Sequence, residues 1–159
     1  MEKKLIIIDG NSIINRAFYA LPEMNNKEGL KTNAIYGFTT MLFKMIDIYK
    51  PTHISVAFDR KAPTFRHLEY KEYKAGRKGM PDELAEQLQP LKDLLDKFRI
   101  NRLEIDGYEA DDIIGTVSKK AEENGYKVYI VTGDKDAIQL ASDNTTTLIT
   151  KKGVGEVEE

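Results

Sequence analysis

Four strand-like runs in this 159-residue chain each give way to acidic residues, and any fold proposed for it has to seat those acids. Leu5-Ile6-Ile7-Ile8 is followed by Asp9, and His53-Ile54-Ser55-Val56-Ala57-Phe58 by Asp59. A run from Asn101 to about Ile105 opens onto Tyr108-Glu109-Ala110-Asp111-Asp112, and Tyr126 to Val131 onto Thr132-Gly133-Asp134-Lys135-Asp136. Leu5 to Ile8 is rich in β-branched residues and shows no polar alternation, which suits a strand covered on both faces of a parallel sheet. Tyr126 to Val131 reads the same way.

Helical patterns fill the intervals. After Asp9-Gly10-Asn11-Ser12, read as a tight turn, Ile13 to Ala20 is helical, and Pro22 to Lys31 is a polar loop. Thr32 is a plausible N-cap for a helix whose stripe is Ala34, Ile35, Phe38, Met41, Leu42, Met45, Ile46 and Tyr49, stopped by Pro51. Pro81 suits the first turn of a helix carrying Leu84, Leu88, Leu91, Leu95 and Phe98, with a possible kink at Pro90. A helix from Glu109 carries Ile113, Ile114, Val117 and Ala121 and closes at Gly125. A short helix (137–141), a fifth strand (145–150) and a polar, mobile tail from Lys151 complete the reading. Strands alternating with helices predict right-handed βαβ units. The expected fold is α/β: one domain, residues 1–159, a three-layer α/β/α sandwich around a central, mostly parallel, Rossmann-like sheet of about five strands.

Ligands of an open parallel sheet bind beyond the carboxyl ends of its strands. Asp9, Asp59, the Glu109–Asp111–Asp112 group, and Asp134 with Asp136 all fall there. A charged helix cap accounts for one or two of the acids near 110, but three in four positions repel one another unless a cation or proton intervenes. Oxygen-only donors without histidine suit Mg²⁺ or Mn²⁺, and seven carboxylates suffice for two ions. Two such ions assist in-line phosphoryl displacement by water, so no histidine base is needed.

The remaining composition narrows the field. There is no cysteine, which excludes disulfides, thiolate zinc sites and thiol nucleophiles. The apolar run after the charged opening is four residues, too short for a membrane span or signal core, so no membrane is expected and the cytoplasm is. No phosphate-cradling glycine motif or nucleophile elbow follows any strand. The net charge of −2 is unevenly spread. Residues 60–78 hold Arg60, Lys61, Arg66, Lys71, Lys74, Arg77 and Lys78 against Glu69 and Glu72, so this window carries +5 and the remainder −7. With Phe65, Tyr70 and Tyr73 interleaved, the segment is suited to phosphates and stacked bases; a solvated charged loop is the plainer reading. Arg16, on the first helix near the acidic edge, suits a phosphate or simply the surface.

Five ordered motifs together resemble a known family: Ile8-Asp9-Gly10-Asn11-Ser12 with Arg16; Ala57-Phe58-Asp59 with Thr64-Phe65-Arg66-His67; Tyr73-Lys74-Ala75-Gly76-Arg77; Gly107-Tyr108-Glu109-Ala110-Asp111-Asp112; and Thr132-Gly133-Asp134-Lys135-Asp136. The family is the 5′-nuclease domains at the amino terminus of bacterial DNA polymerase I, flap endonucleases with a PIN-like fold. The resemblance implies a 5′–3′ exonuclease and flap endonuclease that removes RNA primers and displaced flaps from nicked or flapped DNA, with polymerase domains in cis, working as a monomer near the nucleoid. It implies that Asp9, Asp59, Glu109 and Asp111, with Asp112, serve a first metal site, and Asp134 and Asp136 a second. It implies that Arg66, Lys74 and Arg77 belong to a basic arch at about 60–80, with Arg66 nearest the scissile phosphate. The family continues into a helix–hairpin–helix element with further aspartates, so the chain reads as truncated and its second metal site as incomplete. The competing readings are a PIN-like ribonuclease and, for this length of chain, a nucleic-acid-binding subdomain with weak or no catalysis.

Overall fold

A computed structural model describes residues 2–60, 80–151 and 156–158. The chain runs β1 (Lys4–Asp9), α1 (Gly10–Ala20), α2 (Asn33–Tyr49), β2 (His53–Ala57), α3 (Asp82–Lys97), β3 (Asn101–Leu103), α4 (Ala110–Glu123), β4 (Lys127–Thr132), a 3₁₀ helix (Lys135–Leu140), β5 (Thr145–Lys151) and β6 (Glu156–Glu158). The sheet order is β3-β2-β1-β4-β5-β6. The first five of these strands are parallel, and β6 pairs antiparallel with β5. The sixth strand departs from the expectation of a mobile tail: Thr150 pairs with Val157 and Lys151 with Glu156.

Strand alternation divides the core between two layers. Ile6, Ile8, Val56, Tyr129 and Val131 pack under α1, α2 and α3, whose contributions include Ile14, Phe38, Met41 and Leu91. Leu5, Ile7, Ala57, Val128 and Ile130 face the other way onto Ala110, Ile113 and Ile114 of α4. The three-layer α/β/α sandwich therefore stands.

Helix ends differ in detail from expectation. Thr32 is the N-cap of α2, but its side chain makes no capping bond. Gln87, buried on α3, instead accepts from the backbone N–H of Ala34 and Ile35 (2.8 and 3.1 Å) and donates to Asn33. Pro81 is the N-cap of α3 rather than its first residue, and the helix runs through Pro90 unbroken to Lys97. Gly125 follows the C-cap of α4 at φ +83°, a left-handed conformation that glycine adopts without strain.

The chain order reverses between β1 and β4. To one side of β1 lie β2 and β3; to the other lie β4 and β5. That reversal is a topological switch point, which leaves a crevice beyond the carboxyl ends of its two strands.

Candidate active site

Asp9 closes β1 and caps α1. Its carboxylate accepts from the Ser12 backbone N–H at 3.3 Å and from the Thr132 hydroxyl at 3.1 Å. Burial, more than any other cause, pushes its carboxyl up to about 6; repulsion from Asp59 and Asp111 adds to this, and the bonds from Ser12 and Thr132 oppose it.

The residues after Asp9 hold neighbouring strand ends in place. A methyl group at Gly10 would lie 2.5 Å from the Phe58 ring and 2.9 Å from the Ala57 carbonyl, so only glycine lets α1 begin this close to the exit of β2. Asn11 accepts from the Asp59 N–H at 2.7 Å. The Ser12 hydroxyl accepts from the Gly133 N–H at 2.8 Å. Four consecutive residues thus join the ends of β1, β2 and β4. They do so from inside a helix that starts at Gly10, where the sequence suggested a turn, because the Asp9 side chain supplies the cap at once.

The third strand end is tied through α4. One carboxylate oxygen of Asp59 accepts from the Ala110 N–H at 2.6 Å. Glu109, buried, is the N-cap and forms a reciprocal capping box with Asp112: each side chain accepts from the other's backbone N–H, at 3.1 Å for Glu109 N–H to Asp112. A helix-cap role is therefore real for this pair. Asp111, between them in sequence, is exposed. On β4, Thr132 also accepts from the Asp134 N–H at 3.1 Å.

A cavity of about 360 Å³ opens beside the switch point, its rim formed by Asp9, Asp111, Asp112, Asp134 and Thr132 and its floor by apolar side chains such as Ile130. No lysine or arginine among the described residues lines it. Asp59 and Glu109 stand just outside, and the charge of Asp59 is felt at Asp9. Arg16 lies over Gly133. Arg66, Lys74 and Arg77, with the rest of the basic segment after Arg60, lie outside the described residues, as does the side chain of Asp136. Asn11, Ser12, Thr132 and Gly10 had no assigned role in the sequence reading. The signal for them was small polar residues and glycine crowded behind apolar runs, a pattern shared with ordinary turns.

Do these groups fit a divalent cation? Their chemistry does: hard oxygen donors face one cavity, and Asp9 is half-buried among like charges. Among the described residues, no three acidic or histidine side chains are gathered tightly enough to hold an ion between them.

Residues 4–159 match the family model of the 5′-3′ exonuclease, N-terminal resolvase-like domain. The chain belongs to that family. It is 53% identical over 157 residues to DNA polymerase I of Bacillus subtilis (strain 168), covering 99% of this chain and 18% of that protein. It is 50% identical over 155 residues to DNA polymerase I of Mycobacterium tuberculosis (strain H37Rv), covering 96% of this chain and 17% of that protein. The chain thus spans less than a fifth of the length of these relatives. Among solved structures, the T5 5′-exonuclease with bound zinc superposes with a TM-score of 0.70 at 24% identity, over 92% of this chain and 55% of that one. The bacteriophage T5 flap endonuclease, in a pseudo-enzyme–product complex with DNA and metal ions, gives 0.68 at 25% identity over the same shares. The fold is therefore the flap-endonuclease, PIN-like one.

Proposed function

We propose that this chain is the metal-dependent nuclease domain of a bacterial DNA polymerase I, hydrolysing phosphodiester bonds at 5′ flaps, nicks and RNA primers. One observation carries the reading: acids that follow three different strands, Asp9, Asp111 with Asp112, and Asp134, line a single cavity at the switch point. Family membership and the metal- and DNA-bound relatives support it. When bound, Mg²⁺ or Mn²⁺ at such a site acidifies a water and neutralises charge on the attacking and leaving oxygens.

The chain's own residues divide the work. Asp9, Asp59, Glu109 and Asp111, with Asp112, would hold one ion, and Asp134 and Asp136 a second. Ser12 and Thr132 fix the Asp9 carboxylate, and Ala110 N–H and Asn11 fix Asp59, so these ligands do not have to be ordered when the ion arrives. Arg16 would bind a backbone phosphate. Arg66, Lys74 and Arg77 would bind the nucleic-acid backbone, with Arg66 closest to the scissile phosphate. A monomer in the cytoplasm, beside the nucleoid and with polymerase domains in cis, belongs to the same proposal.

The test is cleavage of a 5′-flap DNA and of single-stranded RNA, with Mn²⁺ and with chelator, by this chain and by a version extended to the length of its relatives. Metal-dependent release of the flap by the extended chain, lost in Asp9→Asn, is the expected result. Absence of any cleavage by the extended chain with metal present would overturn it, and preference for RNA would redirect it to a ribonuclease.

A further inference from the structure

Gly133 has no conformational need to be glycine. It is not among the residues at positive φ, unlike Gly29, Gly107 and Gly125. Space is what excludes a side chain. A methyl group there would lie 2.5 Å from Arg16 Nε, 2.8 Å from Arg16 Cδ and 3.0 Å from the Ser12 hydroxyl. Of the two neighbours, the Arg16 side chain is the one that would have to move. Ser12 is tied by the Gly133 N–H itself, at 2.8 Å, and Arg16 comes one helical turn after Ser12 on α1, so the two share a face. The middle of the Arg16 side chain rests on the bare backbone of residue 133.

The electrostatics of this arginine are equally specific. Its stem lies against Gly133, the residue before Asp134, yet no ion pair of Arg16 occurs among the described residues. An arginine free to swing toward such acids gains Coulomb energy by doing so. The observed arrangement instead holds the stem against a backbone surface and leaves the guanidinium fork uncommitted, which is the state required to take a phosphate with two parallel N–H donors.

We infer that Gly133 is a positioning residue: its missing side chain forms the slot that seats Arg16, and the seated guanidinium binds a backbone phosphate of the nucleic-acid substrate beside the acidic edge. This deepens the nuclease reading and rests on it for the identity of the ligand. The steric part stands independently of that reading.

Two measurements separate the parts. The first is the Arg16 Nε–H resonance in ¹H–¹⁵N spectra of this chain, assigned by its loss in Arg16→Lys. In Gly133→Ala it is expected to move by more than any backbone amide outside residues 12, 16 and 132–134; an unmoved resonance overturns the slot.

The second is binding of 5′-flap DNA by the extended chain without cleavage, in Ca²⁺, across a salt series. Gly133→Ala and Arg16→Ala are each expected to weaken binding roughly tenfold, as loss of one charged hydrogen-bonding group does. Each should lower the slope of log affinity against log salt by about one. The double variant should lose no more than either single one. A purely structural glycine would shift the melting temperature but leave the salt slope unchanged. Additive losses, or a Gly133→Ala variant that binds like wild type, would overturn the inference. If the wild type binds no DNA while the resonance moves as expected, the nuclease reading fails, the phosphate ligand falls with it, and the slot survives.

Discussion

Glu104 and Asp9 occupy comparable places in the sheet, one just past β3 and the other closing β1, yet their surroundings are opposite. Glu104 is encircled by cations: Lys92 from α3 at 3.0 Å, Arg102 at 2.9 Å and Arg60, just past β2, at 3.5 Å. Its side chain is 13% exposed and that of Lys92 12%. Arg102 also grips Asp96 with two bonds, holding that carboxyl below its usual range, and Arg60 reaches Asp106 at 2.7 Å. Among the described residues Asp9 has hydrogen-bond donors but no cation, and the charges that act on it there are those of Asp59 and Asp111. The hollow over Glu104, about 530 Å³, is larger than the acidic one, but four of its five charged residues, Arg60, Asp96, Arg102 and Glu104, are held in ion pairs with one another. Size alone would choose the wrong cavity. What distinguishes Asp9 from Glu104 is a carboxylate that no cation among the described residues is seen to pair with.

The largest effect expected from breaking this contrast is at Glu104. Replacing it with Gln leaves two largely buried cations without their shared carboxylate and should cost about 3 kcal/mol in urea unfolding. A loss below 1 kcal/mol would mean the network is not structural.

Asp9→Asn should do the reverse. Its folded carboxyl lies near 6, above the ordinary 3.8, so the fold disfavours the ionised form. That penalty is absent below about pH 4, grows as pH rises to 6 and is complete above it. Without metal, the Asn variant, which keeps an N-cap acceptor, should therefore gain about 2 kcal/mol over wild type at pH 7.5 and nothing at pH 4. Melts across that range would show a constant difference if Asp9 were unperturbed.

A smaller loss, about 1 kcal/mol, is expected for Asn11→Ala, which removes the acceptor for the Asp59 N–H. Its more telling readout is a weaker response to Mn²⁺, since Asp59 would be held by the Ala110 N–H alone. Smallest of all is Asp106→Asn. Its pair with Arg60 is 46% and 69% exposed, and the change should stay within about 0.5 kcal/mol and shrink further at high salt.

These differences also explain how far the sequence could be read. Asp9 and Asp59 are legible because each stands at the end of its apolar run, and the parallel sheet then brings those two ends together without further information. Glu104 satisfies the same rule and was passed over inside a strand expected to reach about Ile105; β3 ends at Leu103. Nothing local marks it as structural, since Lys92 and Arg60 arrive from other elements. The trans-cap that Gln87 gives α2 was hidden for the same reason: its partners are more than fifty positions away. Asn11, Ser12 and Thr132 resembled turn residues, and their roles depend on a chain reversal that no local pattern encodes. β6 escaped because three residues, Glu156-Val157-Glu158, are too few to show a period.

The most direct test is a Mn²⁺ titration of the melting temperature for wild type, Asp9→Asn and Glu104→Gln, because an ion bound only by the native state raises stability with the logarithm of its concentration. The expected result is a rise for wild type, the same rise from a lower starting point for Glu104→Gln, and a much smaller one for Asp9→Asn. A wild-type melt that millimolar Mn²⁺ leaves unmoved, or an Asp9→Asn variant that keeps the full rise, would contradict a cation site at this edge.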